Sequence, residues 1–221
     1  MLENLLKTDF VRVVNSVKRG NAPDWTSVPL VRVEDISDHT FDVDDPKDTT
    51  VTIKRPVGYG TASYVNGTPG NTYNLRFVCY DEYLHQFVFD DGNGHADKSM
   101  FKQHSRMADF IVYDTSERHE WVVVNELSTG DVNKKRGKGK VQLSYTVELL
   151  CRLKAIKAFL DTFAHKWCVL SAKDDRVLTP NGMADAFMNA YTILPEPLEF
   201  RFGAMKRLGF TGYETSIVVL E

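Results

Sequence analysis

The chain is poor in cysteine, has no marked excess of either charge and contains no long apolar run. Each shortage removes a class of protein. Its three cysteines, Cys79, Cys151 and Cys168, lie far apart in 221 residues, with no Cys-x-x-Cys pair and no histidine cluster. That pattern excludes a disulfide framework or a zinc site with the usual ligand spacing, and fits reduced, buried thiols. Lys and Arg number 27 against 30 Asp and Glu, a net charge of −3, so no global basic field announces a nucleic-acid partner. No segment approaches the roughly 18 uninterrupted apolar residues of a membrane span, and the opening residues are too polar for a signal peptide. A cytoplasmic location and no membrane partner are expected. The glycines Gly58, Gly60, Gly67 and Gly70 lack the strand–loop–helix setting of a phosphate-binding loop, and no Gly-x-Ser-x-Gly elbow surrounds Ser128.

What is present is apolar content of 43%, enough for a sizeable core, with periodicities that locate the elements. Leu2, Leu5, Leu6, Phe10, Val13, Val14 and Val17 recur at helical spacing and predict a helix over 2–19. From 21 to 100 the chain reads as β-rich, with strands expected at 28–33, 50–54, 60–65, 73–80 and 82–89. Asn66-Gly67 and Pro69-Gly70 are its clearest turns. Two adjacent strands follow, 108–113 and 121–128. A polar stretch, 129–140, reads as a loop, and the stripe Leu143, Val147, Leu150, Leu153, Ile156, Leu160 predicts one helix over 141–164. Strands are expected at 167–172, 199–202 and 215–220, and a short helix at 184–191. Strand, long helix, strand implies a parallel pair with the helix on the sheet. The expected architecture is a single α/β domain over 1–221. Within it, 21–100 would be a β-rich insertion or subdomain and 101–221 the core.

The two strands each carry one carboxylate: Asp109 opens the first, and Glu126 lies near the end of the second. Acids are uncommon inside strands, so an ordered pair on neighbouring strands invites a chemical reading. Two carboxylates and a backbone carbonyl, here that of Leu127, suffice for Mg²⁺, which retains several of its waters. A cation so held could activate water and neutralise charge growing on a phosphate. Five cations, Lys134, Lys135, Arg136, Lys138 and Lys140, fall within the seven residues 134–140 and offer phosphate contacts.

The segment 104–150, with Asp109, then Glu126-Leu127-Ser128, then Gln142, resembles the restriction-endonuclease-like PD-(D/E)xK nuclease superfamily. The resemblance covers roughly a fifth of the chain. It implies a mixed sheet flanked by helices, Asp109, Glu126 and Leu127 as ligands of Mg²⁺ or Mn²⁺, and Gln142 as a residue that positions water or phosphate. Tyr145, one turn on, would share the helix face of Gln142. The implied activity is hydrolysis of nucleic-acid phosphodiesters. Ser128 departs from the pattern by standing where the family carries lysine, and three readings stay open. The lysine role could have moved to 134–140, the site could bind metal yet cleave poorly, or the fold could be retained as a catalytically inactive binding or interaction module. Glu3 and Asp9 on the first helix are candidates for a further acid.

Overall fold

A computed structural model describes residues 1–17, 22–25, 29–46, 48, 50–90, 98–101, 107–128, 132–172, 197–201 and 203–221. For 132–135 and 172 it describes the backbone alone. Its centre is a mixed seven-stranded sheet. The strands are β1 (Val33–Ile36), β5 (Leu75–Cys79), β8 (Phe110–Asp114), β9 (Trp121–Ser128), β10 (His165–Ala172), β12 (Thr211–Glu214) and β11 (Leu198–Phe200), in that spatial order. The pairs β1–β5, β5–β8, β8–β9 and β11–β12 are antiparallel. β9–β10 and β10–β12 are parallel. β9 is the hub, because Val122, Val123 and Val124 are fully buried and neighbours flank it on both edges. Its parallel partner β10 requires a crossover, supplied by the helices α3 (Val132–Arg152) and α4 (Lys154–Leu160).

The two faces of this sheet meet different layers, following the two-residue alternation of strand side chains. Val78, Ile111, Val122, Val124, Cys168 and Leu170 face a helical layer that includes the N-terminal helix, α3 and α4. Phe77, Phe110, Val112, Val123 and Val169 face a second, four-stranded sheet. That sheet runs β13 (Ile217–Leu220), β4 (Ala62–Asn66), β2 (Thr40–Val43), β3 (Lys54–Arg55). The β-rich stretch therefore divides: β1 and β5 enter the large sheet, while β2, β3 and β4 build the small one with the C-terminal β13. Gly67 and Gly70 have φ of 63° and 85°, which only glycine adopts freely, and they turn the chain between β4 and β5 where the dipeptides predict it. The expected mixed α/β class, a large mixed sheet flanked by helices, is what the chain forms.

Helix α1 consists of an α-helical turn Leu2–Leu5, a π-helical stretch Leu6–Phe10 and an α-helical end Val11–Val17. Leu2, Leu6, Phe10 and Val14 are buried at a constant spacing of four. An α-helix of 3.6 residues per turn would rotate that series off the core, and the wider π-helical turn brings it back. Val13 and Val17, expected in the stripe, are exposed.

Three local expectations are corrected. The loop expected over 129–140 is helical from Val132 onward. Lysine and arginine are good helix formers, and they outweigh the two glycines. The single helix expected over 141–164 breaks at Leu153, whose backbone is extended, giving α3 and α4. The strand expected over 82–89 is instead helix α2 (Tyr80–His85) followed by the short β6 (Val88–Phe89), which pairs with β7 (Lys98–Ser99), because buried Tyr80, Tyr83 and Leu84 follow helical spacing. The helix expected at 184–191 lies outside the described residues. Among those residues, no helix is long and apolar enough to cross a membrane.

Candidate active site

Asp109 immediately precedes β8. Its carbonyl accepts a hydrogen bond from the Tyr80 N–H at 2.8 Å, which fixes its backbone against the start of α2. Its carboxylate Oδ2 accepts the Leu127 N–H at 2.6 Å. That bond joins the two strands one step beyond their ladder, which ends with Phe110 opposite Asn125. In an extended strand the N–H and C=O of one residue point to the same side. The Leu127 carbonyl therefore faces the Asp109 edge, as a ligand set of Asp109, Glu126 and Leu127 requires.

Glu126 lies beside Asp109 on the helix side of the sheet and is only 8% exposed. Burial first, then the charges of Asp109 and Asp81, push its carboxyl well above the usual carboxylate range; hydrogen bonding from Gln142 and the charge of Lys138 oppose them. Its Oε2 is buried without a hydrogen-bond partner. Two residues on, the Ser128 hydroxyl is also buried and unpartnered on the same side of β9. Unsatisfied buried oxygens are uncommon, and a pair of them beside a strained carboxylate calls for a proton, a cation or water.

Helix α3 supports this corner. Gln142 donates from Nε2 to the Met107 carbonyl at 3.3 Å, and the Thr146 hydroxyl accepts the Ala108 N–H at 2.8 Å. Together they hold the residues that lead into Asp109. Gln142 thus acts on the protein's own framework as well as on Glu126. At Gly139 an added Cβ would sit 2.6 Å from Leu170 Cδ1 and 3.6 Å from Glu126 Cγ, so the helix passes this close only without a side chain there.

The basic segment divides by role. Arg136 and Lys140 are turned to β12: Arg136 Nη2 lies 2.7 Å and Lys140 Nζ 3.4 Å from the Glu214 carboxylate, and Lys140 also stands 4.6 Å over the Phe200 ring. Lys138 is exposed, and its charge bears on Glu126. The side chains of Lys134 and Lys135 lie outside the described set. Tyr145 is 47% exposed where Gln142 is 7%: about 60° apart around the helix, Gln142 turns inward to the sheet corner and Tyr145 outward to solvent.

Asp81 is the acid that sequence reasoning missed. It sits in the first turn of α2, brought to this corner because Cys79 pairs with Phe110 and Tyr80 therefore meets Asp109. No local signal marks it, since its position depends on the β5–β8 register. Glu3 lies elsewhere, bound by Arg76 at 2.6 Å and by the Tyr113 hydroxyl at 2.7 Å, and Asp9 pairs with Arg12. No group of three or more His, Cys, Asp or Glu side chains that could hold a metal occurs among the described residues. The candidate set is the smaller one of two carboxylates and a carbonyl, and the orphaned Glu126 oxygen fits a hard cation with retained waters. Comparison with known protein families, curated sequences and solved structures finds no match to this chain.

Proposed function

We propose that this protein is a metal-dependent nuclease with a restriction-endonuclease-like core, hydrolysing nucleic-acid phosphodiester bonds with Mg²⁺ or Mn²⁺. The observation that carries this reading is Glu126: buried, lacking a partner for one oxygen, pressed by the charge of Asp109 and eased by that of Lys138. The large mixed sheet flanked by helices also supports it, because that is the architecture the resemblance implies. A bound cation would supply charge neutralisation at the phosphate and a more acidic water. Asp109, Glu126 and the Leu127 carbonyl would hold it, Gln142 would keep Glu126 and the Asp109 approach in register, and Lys138 would take the role of the absent motif lysine.

Calorimetric titration with Mn²⁺ tests the site. Wild type is expected to bind, and Asp109→Ala and Glu126→Ala to lose binding and metal-dependent cleavage of DNA or RNA. Cleavage that persists in both variants rejects the assignment. Ser128 favours a second reading, a nuclease-fold binding module, since a buried uncharged hydroxyl stands where the family keeps a cation. Metal binding without cleavage in the wild type, with cleavage gained in Ser128→Lys, would decide for that module.

A further inference from the structure

The solvent side of α3 carries a run of side chains of which the metal-site reading uses only Lys138. Lys138, Val141, Tyr145 and Arg152 fall within a sector of about 60° at 100° per residue, and all four are exposed. Neither Lys138 nor Arg152 forms an ion pair among the described residues. Each lies seven residues from Tyr145, about 10.5 Å along the axis, so the run spans about 21 Å with a cation at each end and an aromatic ring between. Glu148, at the margin of this sector, accepts a hydrogen bond from the Ser144 hydroxyl at 3.2 Å. One end of the run, Lys138, is the residue before Gly139, where an added Cβ would stand 3.6 Å from Glu126 Cγ.

Resting on the nuclease reading, we propose that this face of α3 is a track for single-stranded nucleic acid, which stacks a base on Tyr145, sets phosphates against Arg152 and Lys138, and leads the strand to the Asp109–Glu126 corner. The charge pattern selects a polyanion. The exposed ring selects single strands over duplexes, because a duplex hides its base faces within the stack, whereas an unpaired base offers one to any aromatic side chain. Length agrees as well, since a span of this size suits a few nucleotides.

Fluorescence anisotropy in EDTA, with labelled oligo-dT, oligo-rU and a duplex of equal length, isolates binding from metal and from cleavage. Wild type is expected to prefer the single strands, with the two sugars distinguishing DNA from RNA. Tyr145→Ala is expected to weaken binding by about tenfold, and Tyr145→Phe to keep it, because stacking uses the ring and not the hydroxyl. Arg152→Ala should flatten the dependence of log affinity on log salt by about 0.7. Both side chains are exposed, so circular dichroism should report an unchanged fold. Tighter binding of the duplex, equal affinity of wild type and Tyr145→Ala, or no binding of any oligonucleotide overturns the track. Mn²⁺ titration of the same preparations reports on the acids separately: metal binding without strand binding would reject the track and leave the metal site standing.

Discussion

Glu126 is the residue on which the chemistry turns, and its behaviour with pH is predictable in sign. Below the ordinary glutamate range it is protonated both folded and unfolded, and its burial has little consequence. As pH rises, the unfolded chain releases this proton while the folded chain retains it, so stability from this group falls until pH passes the raised folded value. Glu126→Gln removes that penalty while keeping shape and hydrogen-bonding capacity. Thermal unfolding should show the variant more stable than wild type, by an increment on the order of 1–3 kcal/mol that grows from pH 5 to pH 9. The same proton must leave when a cation binds. Mn²⁺ titration in buffers of different ionisation enthalpy should therefore report release of about one proton near neutral pH, and affinity should rise with pH. The acids of this pair are legible in sequence because strands rarely carry them. Their protonation is not, since it depends on burial and on Asp81, a residue distant in the chain.

At the scale of elements, α3 does more than cross over. It contributes Gln142 and Thr146 to the approach of Asp109, Gly139 to the close passage over Glu126, and two cations to Glu214. Gly139→Ala would set its new Cβ against the Leu170 methyl and force that fully buried side chain to shift, despite alanine's better helix propensity. Urea unfolding should show a loss of about 1–3 kcal/mol, and Mn²⁺ affinity should fall with it. Thr146→Val strands the buried Ala108 N–H and should cost a comparable amount. A smaller effect on metal binding than that of Glu126→Ala is expected, since Thr146 acts through the backbone alone. Helix α3 was legible in its apolar stripe from Leu143 onward. Its first turns, about two and a half, were not, because the segment from Val132 to Lys140 has almost no apolar side chains and two glycines, the composition of a polar loop.

At the scale of the molecule, the large sheet is held between helices and a second sheet whose strands come from both ends of the chain. The sheets are bound by a buried polar link as well as by apolar packing. Tyr64 of β4 donates to Asn125 Oδ1 at 2.7 Å, and Asn125 Nδ2 donates to the Val169 carbonyl at 3.0 Å and to Ser171 Oγ at 2.9 Å. Asn125 is thus fixed from the side of the second sheet, while the next residue, Glu126, faces the helix side. Tyr64→Phe leaves an oxygen of Asn125 unpaired and should cost about 1–3 kcal/mol in urea unfolding while Mn²⁺ binding persists. The parallel pairing of β13 with β4, with Val218 and Leu220 fully buried, makes the last strand part of this core.

The sequence by itself determined the element types with strong periodicity, the turns at Gly67 and Gly70, the parallel β9–β10 unit and the location of Asp109 at the entry to a strand, Glu126 on the next strand and Gln142 on the helix. These follow from local rules: side-chain period, glycine's access to positive φ, and the need of a parallel pair for a crossover. Tertiary structure alone decided which of the basic residues bears on the acids, that Tyr145 is exposed where Gln142 is buried, that the charge of Asp81 bears on Glu126, and that the N-terminal strands divide between two sheets. Each of these depends on pairing register or on contacts between distant segments, and such energies belong to the assembled packing and leave no mark in any short stretch of residues.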